Sequence, residues 1–188
     1  DHISDLNITY TNISRENLIK EGISNEKIIC VGSPMLEVFQ HHKKQINKSN
    51  ILNKLTLKKN NYFLVSLHRE ENVDDKKVLN KYIDAFSFLY KKYKKKVIFS
   101  THYRTQKKIE KYKLDNSKGI HFIKPFGFID YMKLQQNSFL TLSDSGTLSE
   151  ESSILGINSI HLRHCTERPE GLENGAIIIG NHNKKKLI

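Results

Sequence analysis

The sequence predicts an α/β protein built on a doubly wound parallel sheet. Strand-like and helix-like segments alternate along most of its 188 residues. Several of the strand-like segments are continuous apolar runs, as in "YFLVSL", instead of the alternating pattern of a half-exposed strand. Continuous apolar strands are buried on both faces, which is typical of parallel sheets with helices on either side. No internal repeat interrupts this alternation.

The first elements are short. "DLNITYTN" alternates like a strand, and Ser14 is expected to cap a following helix, "RENLIKE". Gly22 suits the left-handed position at the end of that helix. After a second strand, "KIICVG", the dipeptide Ser33-Pro34 should begin the helix "MLEVFQHHKK", because proline is favoured at the first helical position.

A polar, lysine-rich segment around the short apolar pattern "ILNKL" then separates two parts of the chain. We place a domain boundary there, so that residues 1–58 form the end of one domain and residues 59–188 form another. The chain begins without a methionine and stops at "NHNKKKLI", which resembles the start of a helix. We therefore expect a piece of a longer protein, with the second domain truncated at its C-terminus.

The second part resumes the alternation. Asp74 or Asp75 should cap its first long helix, whose apolar residues keep helical spacing, and Asp130 should cap a later one. In chain order we expect the strand "YFLVSL", the helix after Asp75, the strand "KVIFST", the helix "RTQKKIEKYK", the strand "GIHFIKP", the helix "DYMKLQQN", the strand "FLTLS", the helix "LSEESSIL" ending at Gly156, and the strands "SIHLR" and "AIII".

Composition excludes some classes of partner. No apolar run approaches the about 20 residues that cross a bilayer, so we expect no membrane association. The net charge of +11 would suit nucleic acid. The lysines are scattered, however, and no zinc-finger, helix-turn-helix or aromatic RNA-binding pattern occurs, so we expect no nucleic-acid partner. The two cysteines, Cys30 and Cys165, show no disulfide spacing, which indicates a reducing, cytoplasmic location.

Ligands of open parallel sheets bind beyond the carboxyl ends of the strands. The residues that follow the predicted strands are mostly polar, charged or glycine: "HREEN" after one, "HYR" after the next, "DSGT" after a third and "HCTERPE" after a fourth. Histidines and arginines thus converge on one rim of the sheet. No set of residues there has the spacing of a metal site, and we expect no metal.

The stretch "SDSGTLSEE" is the most informative corner. Ser145, Gly146 and Thr147 precede a helix, where free backbone N–H groups and the helix dipole favour an anion such as phosphate. Glu151, about one turn further, could accept hydrogen bonds from a ribose diol. A turn that binds an anion, followed by a carboxylate that can bind a ribose, indicates a nucleotide ligand. The alternative is that Ser145 and Thr147 only cap the helix and the glutamates complement its dipole.

Two further residues fit such a site. His68, followed by Arg69 and two acids, is a candidate proton carrier or phosphate ligand, although a lone histidine is often structural. Arg168, before Pro169, could fork onto a diphosphate. The alternative for Arg168 is an ion pair at the surface.

Several of these corners together resemble one known family. "VSLHREEN", "STHYRT", "SDSGTLSEESSILG" and "HCTERPEG" occur in the order and spacing of the non-hydrolysing UDP-N-acetylglucosamine 2-epimerases. "VGSPMLEVF" resembles the segment before that family's interdomain crossing. The resemblance covers essentially the whole chain.

The resemblance implies two Rossmann-like halves, as in glycosyltransferases of the B type, with the active site between them. This chain would hold the tail of the first half and most of the second. The implied contacts to the UDP-sugar are His68, Ser145, Gly146, Thr147, Glu151 and Arg168, with Phe126 and Tyr131 in the uracil pocket. Arg69 and His102 match positions associated with a regulatory nucleotide-sugar site in some bacterial members.

The resemblance also implies a reaction. C2 of a UDP-N-acetylamino sugar is inverted by eliminating UDP to a 2-acetamidoglucal and adding it back, without a cofactor. His68 is the catalytic candidate here, and the acidic catalytic residues would lie upstream of Asp1. We expect a homodimer of the full-length protein.

One departure concerns the substrate. Common members have a second glycine and a glutamine where this chain has Thr147 and Ser149, and "SSILG" also differs. This version resembles the branch acting on 6-deoxy-L-sugars, the UDP-N-acetyl-L-fucosamine synthases of bacterial capsule and O-antigen pathways. A sugar transferase of the same fold is a further alternative, because it would also carry a phosphate turn and a ribose-binding glutamate.

Overall fold

A computed structural model describes residues 1–114, 119–163, 170–173 and 175–180. The chain forms two compact units, Asp1–His41 and His42–Ile188. Within the described ranges, no helix is both long enough and apolar enough to span a bilayer. The sequence-based division into residues 1–58 and 59–188 stays a prediction.

The first unit contains a pair of short parallel strands, β1 (Asn7–Thr9) and β2 (Ile28–Cys30). Helix α1 (Asn12–Lys20) connects them through a turn of 3-10 helix at Asn25–Lys27. These elements match the predicted ones, and Gly22 has the expected positive φ, +90°.

The cap of α1 differs from the expectation that Ser14 would supply it. Thr11 precedes the helix in an extended conformation, and its hydroxyl accepts the Ser14 N–H at 3.1 Å. Ser14 lies inside the first turn, so its own hydroxyl cannot reach forward to a free N–H in the same way. Helix α2 (Met35–Lys48) begins after Ser33-Pro34 as predicted, with the Ser33 hydroxyl accepting the Met35 N–H at 3.2 Å.

In its described part, the second unit contains a six-stranded, entirely parallel sheet. Its strands are β3 (Tyr62–Ser66), β4 (Lys96–Ser100), β5 (Ile120–Ile123), β6 (Leu140–Ser143), β7 (Ser159–Leu162) and β8 (Ile178–Gly180). The helices are α3 (Ile51–Lys54), α4 (Glu70–Val73), α5 (Lys76–Tyr93), α6 (Tyr103–Tyr112), α7 (Phe128–Asn137), α8 (Leu148–Leu155) and α9 (Glu170–Glu173). The predicted parallel, doubly wound α/β fold is confirmed.

Strand β3 shows why its sequence is apolar throughout. Phe63 and Val65 pack into a core that includes the apolar face of α5. Tyr62 and Leu64, on the opposite face, pack with Leu134 of α7 and with the α3 region. Side chains alternate across a strand, so helices on both faces require an apolar residue at every position.

Helix starts in this unit are partly as predicted. Asp75 caps α5, and its carboxylate accepts the Lys77 N–H. Asp130 does not cap α7, which begins after Gly127. Asp130 lies in the first turn, because the helix already begins two residues before it. Its carboxylate accepts a hydrogen bond from the Ser49 hydroxyl at 2.5 Å.

The strand order is β5-β4-β3-β6-β7-β8. The chain builds outward from β3 to β5 and then returns to add β6 on the other side of β3. The strand order therefore reverses between β3 and β6, and doubly wound folds form a crevice at the carboxyl edge of the sheet at such a point. This position is the usual ligand site of doubly wound folds.

A tight contact before β5 yields a test of the packing. Gly119 has φ +83°, and a Cβ there would lie 2.1 Å from Cγ of Tyr90, which packs against the main core. Gly119→Ala should therefore cost about 1–3 kcal/mol beyond the backbone strain. Gly156→Ala is the matched control, because Gly156 has φ +61° and no described heavy atom within 4 Å of such a Cβ. Equal losses in denaturant unfolding would contradict the contact with Tyr90.

Candidate functional site

The crevice is bordered by the ends of the two central strands. Ser66 of β3 is paired with Ser143 of β6, the last register pair between these strands. The segments that follow contain His68 and Arg69 on one side and residues 144–147 on the other. The sheet thus places two of the predicted polar corners against each other.

A buried carboxylate joins these two corners. Asp144 has no exposed surface. Its Oδ1 and Oδ2 each lie 3.1 Å from the donating His68 N–H, and Oδ2 accepts the Arg69 N–H at 2.9 Å. The Asn72 side-chain amide also donates to Oδ2, at 3.0 Å. A buried carboxylate needs such donors to remain charged.

His68 completes the set of donors around Asp144. Its Nδ1 lies 2.9 Å from Asp144 Oδ1, and its side chain remains 43% exposed. The hydrogen bond that His68 donates to Asp144 raises the pKa of His68 above its usual value, and the carboxylate charge adds to this effect. Partial burial and the charges of Arg69 and Arg163 act in the opposite direction. The net effect favours the imidazolium form.

The pKa of Asp144 shifts downward. Burial alone would raise it, but the hydrogen bonds from His68, from Asn72 and from the Arg69 N–H outweigh that effect and lower the pKa of the carboxyl below its usual value. The raised pKa of His68 and the lowered pKa of Asp144 both favour an imidazolium–carboxylate pair.

Asn72 is held in turn by its own partners. Its amide nitrogen also donates to the Leu162 carbonyl at 3.1 Å, and its amide oxygen accepts from the Tyr82 hydroxyl at 3.2 Å. Burial, followed by the charges of Asp144 and Glu71, raises the pKa of Tyr82, so this phenol stays protonated as a donor.

A buried arginine lies behind the "DSGT" turn. Arg163 follows β7 and donates from Nε to the Asp144 carbonyl at 2.9 Å. Its Nη2 lies 3.5 Å from the position that a Cβ on Gly146 would occupy. The guanidinium therefore contributes positive charge directly beneath the turn.

The side chains of the turn bond to one another and to α8. The hydroxyls of Ser145 and Thr147 lie 2.9 Å apart, and Thr147 donates to Glu151 Oε1 at 2.7 Å. Thr147 is the N-cap of α8, but its side chain makes no capping hydrogen bond. The Gly146 N–H takes part in no hydrogen bond within the described ranges. The turn therefore places an N–H with no partner among the described residues at the positive end of a helix.

Glu151 is buried on α8 and fixed at both oxygens. Oε1 accepts from Thr147, and Oε2 accepts from the amide of the fully buried Gln135 at 2.7 Å. Burial, followed by the charge of Glu151, raises the pKa of the Tyr131 phenol, so this phenol stays protonated. A carboxylate oxygen can accept a further bond, so Glu151 can still serve a ligand hydroxyl.

Comparison with known proteins agrees with this arrangement. A family model described as UDP-N-acetylglucosamine 2-epimerase matches residues 1–188. The chain belongs to the UDP-N-acetylglucosamine 2-epimerase family. This confirms the family named by the sequence resemblance, while its L-fucosamine branch stays a prediction.

Solved structures of this family share the fold. The Methanocaldococcus jannaschii UDP-GlcNAc 2-epimerase in complex with UDP-GlcNAc and UDP is 38% identical, with a TM-score of 0.90 over 100% of this chain and 53% of that chain. The Rickettsia bellii UDP-N-acetylglucosamine 2-epimerase is 40% identical, with a TM-score of 0.85 over 99% and 49%. A Staphylococcus aureus MnaA structure with UDP is 25% identical, with a TM-score of 0.84 over 98% and 50%. The chain spans about half the length of the curated relatives it matches, 53% for the first two.

The other site residues that the sequence predicted differ in their position relative to His68 and Asp144. The ring of His102 is 6.3 Å from that of His68, and its Nδ1 accepts the Arg104 N–H at 3.4 Å. Phe126 follows β5 and packs against the second core cluster. Arg168 and Cys165 lie outside the described residues. Cys30 is exposed and free.

The sequence indicated Asn72 and Asp144 only as members of the polar corners "HREEN" and "DSGT", with no role of their own, and it did not indicate Arg163. Asp144 directly follows an apolar strand next to β3, and this position was the available signal. Across the described ranges, no group of three or more His, Cys, Asp or Glu side chains could hold a metal ion.

A buried histidine beside the site yields a prediction for acid stability. His161 pairs with Ser143 in the sheet, and burial, together with the charge of Arg163, lowers its pKa from 6.5 to about 4. Between these values the unfolded chain binds a proton that the folded chain rejects, so stability falls as the pH drops from 6.5 toward 4, by up to about 3 kcal/mol. His161→Gln should flatten this decline in denaturant unfolding measured against pH.

The matched control is His121→Gln, at an exposed position of β5. A His161→Gln protein with the same pH dependence as the parent would show that His161 does not carry the effect.

Proposed function

We propose that this chain is the nucleotide-binding part of a UDP-N-acetylamino-sugar 2-epimerase. The observation that supports it most is the combination at the crevice: the Ser145–Thr147 turn at the start of α8, Glu151 four residues beyond Thr147, and His68 opposite, with its Nδ1 2.9 Å from Asp144. An anion site and a diol acceptor at this spacing fit a nucleoside diphosphate. Family relatives solved with UDP or UDP-GlcNAc support the same ligand class.

Each residue has a proposed role. The Ser145–Thr147 turn and His68 hold the diphosphate, as does Arg168, and Glu151 accepts from the ribose hydroxyls. Phe126 and Tyr131 line the uracil pocket. Arg69 and His102 belong to a regulatory nucleotide-sugar site.

The proposed reaction begins by breaking the C2–H bond. Its electron pair forms a C1=C2 double bond, and the C1–O bond breaks so that UDP leaves with the electron pair. Adding UDP back, with a proton delivered to the opposite face of C2, gives the epimer. No electrons are gained or lost overall, so no redox cofactor is required. The imidazolium of His68 and the α8 N-terminus stabilise the charge that develops on the diphosphate.

The other half of such an epimerase supplies the rest of the site. Residues 1–58 belong to the tail of a first Rossmann-like domain and residues 59–188 to the second, and the acids that exchange the C2 proton come from the first domain. The full-length protein is a cytoplasmic homodimer that uses the soluble nucleotide sugar, without nucleic-acid or membrane partners.

The sugar is proposed from the departures at the α8 turn. Thr147, which bonds to Glu151, and Ser149 replace the common residues. This pattern resembles the branch that acts on 6-deoxy-L-amino sugars of bacterial capsule or O-antigen synthesis, and such a sugar is the alternative substrate to UDP-N-acetylglucosamine. A sugar transferase on the same fold would need an acceptor, and an epimerase would not.

Solvent exchange tests the reaction. Full-length protein incubated in heavy water with its UDP-sugar and no acceptor should place deuterium at C2 and release some UDP with the glycal. UDP-N-acetylglucosamine and the UDP-6-deoxy-L-amino sugar are supplied in parallel to identify the substrate. If neither gains deuterium although UDP binds, the chain is not an epimerase.

Binding tests the role assigned to Glu151. Glu151→Gln should weaken UDP binding at least about tenfold, because a charge-assisted hydrogen bond to the ribose is lost. The variant should bind 2′,3′-dideoxy-UDP as well as the parent does, because that ligand lacks both hydroxyls. Glu150→Gln, the adjacent carboxylate on α8, is the matched control. Equal weakening for both nucleotides would contradict a ribose contact.

A further inference from the structure

Asp144 is bonded only to groups of the protein. It is fully buried, and both oxygens accept from His68, from the Arg69 N–H or from Asn72. It therefore has no surface with which to touch a substrate. Its lowered pKa also prevents it from exchanging a proton near neutral pH.

The pair restricts the chemistry of His68. Because Nδ1 faces the carboxylate at 2.9 Å, this nitrogen must carry a proton. Nε2, on the other side of the ring, takes part in no hydrogen bond of the described chain, and the side chain is 43% exposed. A single orientation of the ring therefore remains, with Nε2 directed away from Asp144.

We propose that Asp144 is a positioning residue that holds His68 as an imidazolium with its Nε2–H available to the departing diphosphate. This inference rests on the proposed function, because it assigns the partner of Nε2–H. It distinguishes two roles: His68 touches the substrate, whereas Asp144 acts only through His68.

A second layer keeps the carboxylate in place. Asn72 donates to Asp144 and to the Leu162 carbonyl, and it accepts from the buried Tyr82 hydroxyl. These bonds connect α4, α5 and the end of β7. Asp144 therefore cannot turn away from His68 without breaking buried hydrogen bonds, which is costly.

The surrounding charges show why a carboxylate is needed. Arg69 and Arg163 both lower the pKa of His68, and the His102 ring lies 6.3 Å away. A diphosphate site collects positive groups, and each one disfavours a further proton on His68. Asp144 counters them, so the charged form persists to higher pH than it would without the carboxylate.

The test measures His68 directly in the full-length protein. Nitrogen-15 NMR of labelled histidine should show His68 titrating above 6.5, with the neutral form protonated at Nδ1. Asp144→Asn should lower this pKa. In the parent protein, kcat should decline at high pH as His68 loses its proton. In Asp144→Asn this decline should begin at lower pH, so that kcat at pH 8 is at least about tenfold below that of the parent.

Asp84→Asn, on the exposed side of α5, is the matched control and should change neither the titration nor the pH profile. If Asp144→Asn does not fold, the titration of the parent protein decides. The inference would be overturned if His68 of the parent protein titrates at or below 6.5, or if its neutral form carries the proton on Nε2 instead of Nδ1. A folded Asp144→Asn protein with an unchanged pH profile would also overturn it.

The NMR result is independent of turnover. Absence of epimerisation in the parent protein would count against the proposed function, whereas the protonation of His68 would still test the pair itself.

Discussion

The site depends on the burial of one carboxylate, Asp144, at the point where the strand order of the sheet reverses. Asp144 follows β6, and its donors come from the segment that follows the neighbouring strand, β3. In a parallel sheet, adjacent strands end at the same edge, so these two segments can meet. The hydrogen bonds satisfy a charge that would otherwise be costly to bury, and they fix His68 in the same step. The same carboxylate therefore joins the two sides of the site and orients the histidine.

The charges around this carboxylate are separated along the crevice. Arg163 lies beneath the turn, and His68 lies across from it, so positive charge is concentrated where an anion would sit. Glu151 is held further along α8 by Thr147 and Gln135. A ligand with negative charge alone would gain nothing from Glu151. The arrangement instead suits a molecule that has an anionic group and hydroxyl donors about one helical turn apart.

The sequence predicted the sheet well because apolar runs such as that of β3 require burial on both faces. It also predicted the polar corners at the strand ends. It could not predict that Asp144 meets Asn72, which is 72 residues away, because that contact follows from the strand order. The misassigned caps have a local cause: Thr11 and Ser14 both have hydroxyls that suit a helix start, and only the backbone conformation distinguishes them.

The pair also limits what His68 can do in the proposed reaction. An imidazolium has protons on both nitrogens, so it cannot accept the proton from C2. Asp144 is buried, and the proposed partner of Glu151 is the ribose diol instead of the sugar C2. These crevice groups therefore suit departure of the diphosphate and not removal of the C2 proton. An elimination needs both, so the base must approach the sugar from another part of the enzyme, and the two halves of such an epimerase would divide leaving-group stabilisation and proton transfer between them.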